Sequence, residues 1–222
     1  NVIELFGVQS QTAGYMEARI QCCFPKMPPM VGYASTATIR LAAPPDAGGA
    51  AVTMDRQVEA FAQIPAPPVV VIQDLDDPTR AATFGEVMCT TYKAFGAVGV
   101  ITSGAARDLD QVAALGFAAF ASGTICSHGY PQMQHLHVSV NVGGLTIHPG
   151  DLLHGDRNGV TTIPLRIAAE VARACQPFVD AEQRILTYLS TSEPTVAGYG
   201  AVLKQFNAAK QQICQGVSGQ QH

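Results

Sequence analysis

Gly85-Glu86 and, after twenty intervening residues, Arg107-Asp108 are the positions in this sequence best suited to chemistry. A glutamate and an aspartate offer hard oxygen donors suited to Mg²⁺ or Mn²⁺, ions that keep several waters and need only one or two protein carboxylates. An arginine can grip a carboxylate through two parallel hydrogen bonds, and open N–H groups at a helix start attract the same anion. Together these types describe a site for a divalent metal and a small acidic molecule. The spacing also has a plainer account. Thr83-x-x-Glu86 and Asp108-x-x-Gln111 each read as a capping box at a helix start, and Arg107 reads as an exposed or interface arginine.

Hydrophobic patterning predicts the elements that must position these residues. The runs at 30–41 and 69–75 read as strands flanking a helical stretch at 50–64. A helix over Thr83 to Phe95 is stopped by Gly96, and AVGVITSG at 97–104 reads as the next buried strand. A short helix at 109–115 and a strand at 117–123 repeat the pattern. In such parallel crossovers, helix starts and strand ends share one edge of the sheet, so Glu86 and Asp108 are expected to face one pocket.

From His135 to Pro164 the character changes to short alternating segments with Gly-Gly, Pro-Gly-Asp and Asn-Gly turns, which predicts antiparallel pairing. Residues 165–190 have helical spacing with Pro177 expected to kink or divide them, and a last helix covers 194–213. APPDAGG at 43–49 reads as a surface loop, and the tail GVSGQQH as frayed.

The 222 residues, 47% hydrophobic, suffice for one α/β domain spanning 1–222, with a C-terminal helical extension at about 165–213 packed on it. A net charge of −4 with 13 scattered basic residues gives no footprint for nucleic acid. No segment has the apolar length of a membrane span, and the start of the chain lacks the basic and apolar pattern of a secretory leader. Six cysteines without C-x-x-C or zinc-finger spacing fit reduced thiols in the cytoplasm, with a reactive cysteine as the lesser alternative.

Other candidates carry less. His135-x-His137 in a strand would place both imidazoles on one face and permit zinc, yet no third ligand accompanies them, and a surface or subunit-boundary pair is the simpler account. His128 and Tyr130 follow a glycine turn that could line a pocket. Asp74 ends a buried strand on the ligand edge, although Asp74, Asp76 and Asp77 fit a solvated turn before Pro78 better. Asp151, Asp156 and the Gly143-Gly144 pair read as turn chemistry. Of four lysines (26, 93, 204 and 210), Lys93 is seven residues past Glu86, about 10 Å along the helix, too far for a Schiff base in the pocket.

The segment GEVMCTTYKAFGAVGVITSGAARDLDQV at 85–112 resembles the signature block of the family comprising regulator of ribonuclease activity A (RraA) and the HMG/CHA aldolases. PGDLLHGDRNGVTTIP at 149–164 and MVGYASTATIRL at 30–41 resemble two further blocks, and the likeness extends over about 10–180. The resemblance implies a phosphohistidine-domain-like β/β/α fold with C-terminal helices, assembled as homotrimers or hexamers with sites at subunit boundaries. It also implies a divalent-metal-dependent lyase that cleaves 4-hydroxy-2-oxo acids to pyruvate or decarboxylates oxaloacetate. By position, Asp108 would bind the metal directly and Glu86 through water. Arg107 would contact the pyruvate part, and amides near Gly85, Val87 and Met88 its carboxylate. Glu170 and Glu182 are weaker candidates for a neighbouring subunit's metal shell. One departure stands out: family aldolases have an acidic residue three positions beyond the metal-binding aspartate, where this chain has Gln111, with Asp110 one place earlier. That departure keeps open a second expectation, a non-catalytic regulator acting by protein–protein contact.

Overall fold

A chain whose buried strands alternate with short amphipathic helices has to place the helices against a parallel sheet, and the computed structural model shows where. It describes residues 1–45, 52–191 and 193–218. Positions 46–49 of the expected loop and 219–222 of the expected tail lie outside the described residues. The chain falls into two compact units, residues 14–163 and residues 1–13 with 164–222.

The elements of the larger unit are, in order, β1 (Gln21–Cys22), β2 (Met30–Arg40), α1 (Met54–Glu59), β3 (Pro68–Asp74), β4 (Ala82–Phe84), α2 (Glu86–Ala94), β5 (Gly99–Thr102), β6 (Ala105–Ala106), α3 (Leu109–Ala114), β7 (Ala118–Ala121), β8 (Gly123–Thr124), β9 (Gln132–Leu136), β10 (Val140–Val142), β11 (Leu145–Ile147), β12 (Leu152–Asp156) and β13 (Gly159–Ile163). The main sheet runs β1-β7-β5-β3-β2-β12-β13, and β9 also pairs with β2. Its centre, β2-β3-β5-β7, is parallel, as the crossovers require. The pairs β1–β7, β2–β12, β12–β13 and β2–β9 are antiparallel.

Residues 14–22 touch both edges of this sheet and nearly close it. The Met16 N–H donates to Val160 O at one edge, and Gln21 pairs with Ala121 at the other. Both faces of β3 are covered, so Val69, Val70, Val71 and Ile72 are all fully buried. On one face Phe84, Cys89, Tyr92 and Val112 pack with Phe61 and Ile72. On the other, Phe120, Val142, Ile147 and Leu153 form a second cluster.

A small parallel sheet, β4-β6-β8, positions the candidate residues. Phe84 is in register with Ala106, and the Arg107 N–H donates to Phe84 O at 3.2 Å. Adjacent strands therefore end side by side, one leading into Gly85-Glu86 and the other into Arg107-Asp108. The expected helix from Thr83 thus begins three residues later, at Glu86: Ala82–Phe84 are extended because they complete this second sheet.

The smaller unit holds α4 (Ala168–Leu189) and α5 (Val196–Ser218). Of the kink or division expected at Pro177, the division does not occur: helix α4 runs unbroken through it. Its inward face of Val171, Ala174, Phe178 and Ala181 is buried at helical spacing, and Phe178 meets Phe206 of α5 edge to face at 5.9 Å. Packing along that face outweighs the backbone hydrogen bond that Pro177 forfeits.

Candidate active site

Helix α2 begins without a side-chain cap of its own. Gly85 is its N-cap, and the Glu86 N–H donates to Asp108 Oδ2 at 3.0 Å. The carboxylate that satisfies this helix start thus arrives from twenty-two residues downstream. Neither expected capping box forms. Thr83 lies inside β4 with its hydroxyl buried and unbonded, and the Asp108 side chain makes no cap hydrogen bond to the helix that follows it.

Asp108 adopts φ 55° and ψ 40°, left-handed values that L-residues reach only at a cost, aspartate among the more tolerant. Its carboxylate is thereby turned back toward α2. Arg107 Nε is 3.7 Å from Asp108 Oδ2, and both side chains are about one-third exposed, so the ion pair is long and partly solvated. Among the described residues the terminal guanidinium nitrogens of Arg107 make no hydrogen bond, which leaves its bidentate edge available.

Gly85 is dictated by this crowding. A Cβ there would lie 2.5 Å from Asp108 Oδ2 and 3.1 Å from Arg107 Nε. The first-turn amides of Val87 and Met88 have no intrahelical acceptor. All six predicted residues, Gly85, Glu86, Val87, Met88, Arg107 and Asp108, line one cavity of about 540 Å³. His128 joins them there, and Tyr130 does not.

The residues that sequence reasoning missed are on the apolar side of the cavity: Met54 at the start of α1, Pro131, and Ala82 and Phe84 of β4. Neither Met54, which falls inside the helical stretch expected at 50–64, nor Pro131 carries a signal in the sequence. Gln111 and Asp110 are exposed on α3 and do not line the cavity.

Two carboxylates suit a hard divalent ion that retains waters. Asp108 keeps Oδ1 clear of the helix cap, and Glu86 is exposed beside it. Among the described residues no group of three or more His, Cys, Asp and Glu side chains is placed to hold a metal, so a closed zinc site has no support.

The histidine pair diverges. β9 ends at Leu136, and His137 takes φ 51°, which breaks the expected alternation. His135 Nδ1 shares a hydrogen bond with Thr38 Oγ1 at 3.2 Å, and His137 Nε2 one with Ser35 Oγ at 3.3 Å. Burial alone holds the His137 imidazole below its usual value.

Cys89 of α2 is fully buried, and burial, helped by Cys23 and Asp108, pushes its thiol up to about 12, far from a nucleophile's range. Lys93 donates to Leu115 O beyond α3, away from the cavity. Asp76 accepts the N–H groups of Leu41 and Ala42 at 2.6 and 2.9 Å and so clamps a loop.

Asp74 departs from the solvated turn expected of it. It is 9% exposed and does not line the cavity, and burial first, then Asp76, raise its carboxyl above the usual range. Its Oδ2 is unbonded, as is Thr83 Oγ1, and both face the backbone of Gly104. Asp151 and Asp156 hold turns by accepting the His148 and Asn158 N–H groups, each at 2.7 Å. In the smaller unit, Glu170 pairs with Arg173 at 3.3 Å, and Glu182 lines a separate cavity with Phe178, Phe206 and Lys210.

A parallel sheet with a helix start and a strand end meeting at an acidic and arginine-bearing cavity is an arrangement in which α/β domains bind ligands. Residues 1–162 match the Aldolase/RraA family model, and the chain belongs to that family. A candidate 4-hydroxy-4-methyl-2-oxoglutarate aldolase of Halalkalibacterium halodurans is 38% identical over 97 residues, 43% of this chain and 46% of that protein. An uncharacterized protein of Methanocaldococcus jannaschii is 30% identical over 107 residues, 48% of this chain and 51% of that one. The matched region thus spans about half the length of these relatives.

Among solved structures, an uncharacterized protein from Pseudomonas syringae pv. tomato superposes with a TM-score of 0.68 at 24% identity, covering 90% of this chain and 85% of the other. Streptomyces coelicolor RraAS2, described as an unusual member of the RNase ES inhibitor RraA protein family, gives 0.59 at 18% identity over 77% and 82%. These likenesses show the fold: a mixed α/β, nearly closed sheet with C-terminal helices. No described helix is long and apolar enough to cross a membrane.

Proposed function

We propose that this chain is a divalent-metal-dependent carbon–carbon lyase acting on a small 2-oxo acid, by retro-aldol cleavage of a 4-hydroxy-2-oxo acid to pyruvate, by oxaloacetate decarboxylation, or both. The observation that carries the proposal is the meeting of Asp108, Arg107 and the α2 start at one cavity, where a left-handed backbone turns the Asp108 carboxylate toward α2. Asp108 and, through water, Glu86 would hold Mg²⁺ or Mn²⁺, which when bound supplies a Lewis acid for the 2-oxo group.

The chain's own residues account for the remainder. Val87 and Met88 amides bind the carboxylate at the positive end of α2. Arg107 presents its free edge to the oxygen on which negative charge develops as the carbon–carbon bond breaks, an interaction strongest in the transition state. Gly85 permits the backbone to come this close. Assembly as a homotrimer or hexamer belongs to the same proposal. Val179, Leu186 and Leu189 of α4, between 47% and 58% exposed, support it, and light scattering on the eluting species tests it.

The test is pyruvate release from oxaloacetate, 4-hydroxy-4-methyl-2-oxoglutarate and 4-hydroxy-2-oxopentanoate, with Mg²⁺ or Mn²⁺ and with chelator, corrected for metal-catalysed background. Turnover that needs both protein and metal is expected, and Asp108→Ala should abolish it. Full metal-stimulated turnover by folded Asp108→Ala would overturn the site assignment. A second reading, a regulator that acts by protein contact, draws on Gln111, which stands where the resemblance leads one to expect an acidic residue. It expects no turnover on any of these acids from folded, metal-loaded protein, and an Asp108→Ala variant that still binds its partner.

A further inference from the structure

We infer that His128 is the specificity-determining residue of the cavity, its imidazole pairing with a second carboxylate at the far end of a 2-oxo diacid. The inference rests on the 2-oxo acid reading above and concerns the end of the substrate away from the reacting carbons. Arg107, Asp108, Glu86 and the α2 amides stand where β4 ends at Phe84. His128 lines the same cavity from the other end of that strand, because the Ala82 N–H donates to Ser127 O at 2.9 Å. Ala82 and Gly85 are three residues apart, about 10 Å of extended chain. A five-carbon acid held by its first carboxylate at the α2 start and lying along β4 therefore carries its second carboxylate toward the imidazole, in a cavity of about 540 Å³ that has room for it.

The backbone around His128 is held by its neighbours, although the residue itself is exposed. On one side the Ile125 N–H donates to Ala106 O at 3.1 Å, and on the other the Tyr130 N–H donates to Leu41 O at 2.9 Å. Between them Gly129 has φ 59°, and a Cβ there would lie 2.5 Å from Ala81 Cβ and 2.6 Å from Leu41 O. The ring is oriented as well. Its Nδ1 is 3.4 Å from Gly129 O, which can only accept, so Nδ1 carries a proton. Among the described residues Nε2 makes no hydrogen bond. With Nδ1 protonated, Nε2 donates to an anion only when the ring is cationic, so a carboxylate arriving there favours uptake of a proton. The other charged side chains of the lining, Arg107, Asp108 and Glu86, gather at the α2 end, and Asp76 is spent on the Leu41 and Ala42 N–H groups. His128 is thus the group left to meet a distal carboxylate, whereas an alkyl end finds no partner in it.

Calorimetric titration of the full-length, Mn²⁺-saturated protein with 2-oxoglutarate and 2-oxopentanoate tests this, because the two acids differ in a terminal carboxylate against a methyl and neither can be cleaved. Binding of Mn²⁺ to the protein and to each acid is titrated first. We expect 2-oxoglutarate to bind about tenfold more tightly at about pH 7. Repeating the titrations at about pH 8 in buffers of different ionisation enthalpy should show more proton uptake with 2-oxoglutarate than with 2-oxopentanoate. His128→Ala, at an exposed position, should lose both the preference and the extra uptake, and His128→Lys should restore the preference without the uptake. Equal affinities in the unaltered protein, equal proton uptake by the two acids, or a preference that survives in His128→Ala would overturn the assignment, while binding of 2-oxopentanoate leaves the 2-oxo acid reading in place. Failure of both acids to bind metal-saturated protein would remove that reading and the assignment with it.

Discussion

Two residues other than glycine have positive φ among the described residues, Asp108 at 55° and His137 at 51°, and they have opposite consequences. At Asp108 the turn brings a carboxylate to a helix start that would otherwise lack a cap, and unites groups twenty-two residues apart. At His137 it separates two imidazoles that are two residues apart and sends them to Ser35 and Thr38. In sequence the histidine pair looked like the more compact ligand set. The structure teaches that pairing of β4 with β6 gathers candidate site residues where strand alternation in β9 does not.

The largest effect expected of this contrast is on turnover. Arg107→Ala and Asp108→Ala should each lower metal-dependent kcat/KM by about a hundredfold or more in the pyruvate-release assay. His135→Ala and His137→Ala should stay within about twofold, since neither touches the cavity. Equal losses at both places would break the comparison. Next, Gly85→Ala drives a methyl into Asp108 Oδ2, and it should cost about 1–3 kcal/mol in urea unfolding along with most of the activity.

A smaller effect is expected at Asp74, whose burial raises its carboxyl above the usual 3.8 and whose Oδ2 is unbonded. A carboxyl raised on folding binds its proton more tightly in the folded state, so its ionisation is a penalty that grows as pH rises from about 3.8 through the folded value and is complete above it. Asp74→Asn removes that penalty and offers Thr83 a donor. It should stabilise the protein by about 1 kcal/mol at pH 7, with the gain fading as pH falls toward 4, read from Tm against pH. The smallest change should come from His137→Asn, because asparagine tolerates left-handed backbone. Stability within about 0.5 kcal/mol is expected, and a larger loss would mean that the Ser35 contact matters more than the turn.

Much of the fold was legible because period-two and period-3.6 patterns record burial directly. β2, β3, β5, β7 and the antiparallel segments stand within a few residues of their expected places, and α2 was misjudged only at its start. Ala82–Phe84, Ala105–Ala106 and Gly123–Thr124 were illegible as a sheet. Strands of two or three residues are too short for a period to show, and their partners are distant in sequence. Pro177 fails to divide its helix for a related reason: a local propensity yields when a long face packs.

By itself the sequence determined which chemistry was available, two carboxylates, one arginine and a glycine at crossover spacing, because residue type fixes donor, charge and size. Tertiary structure alone decided that Asp108 caps the helix of Glu86, that His135 and His137 part, and that Met54 and Pro131 complete the cavity. Those outcomes depend on backbone dihedrals and on pairing between segments far apart in the chain. No window of local sequence carries that information, since the free energy that selects it is gained only when the distant partners meet.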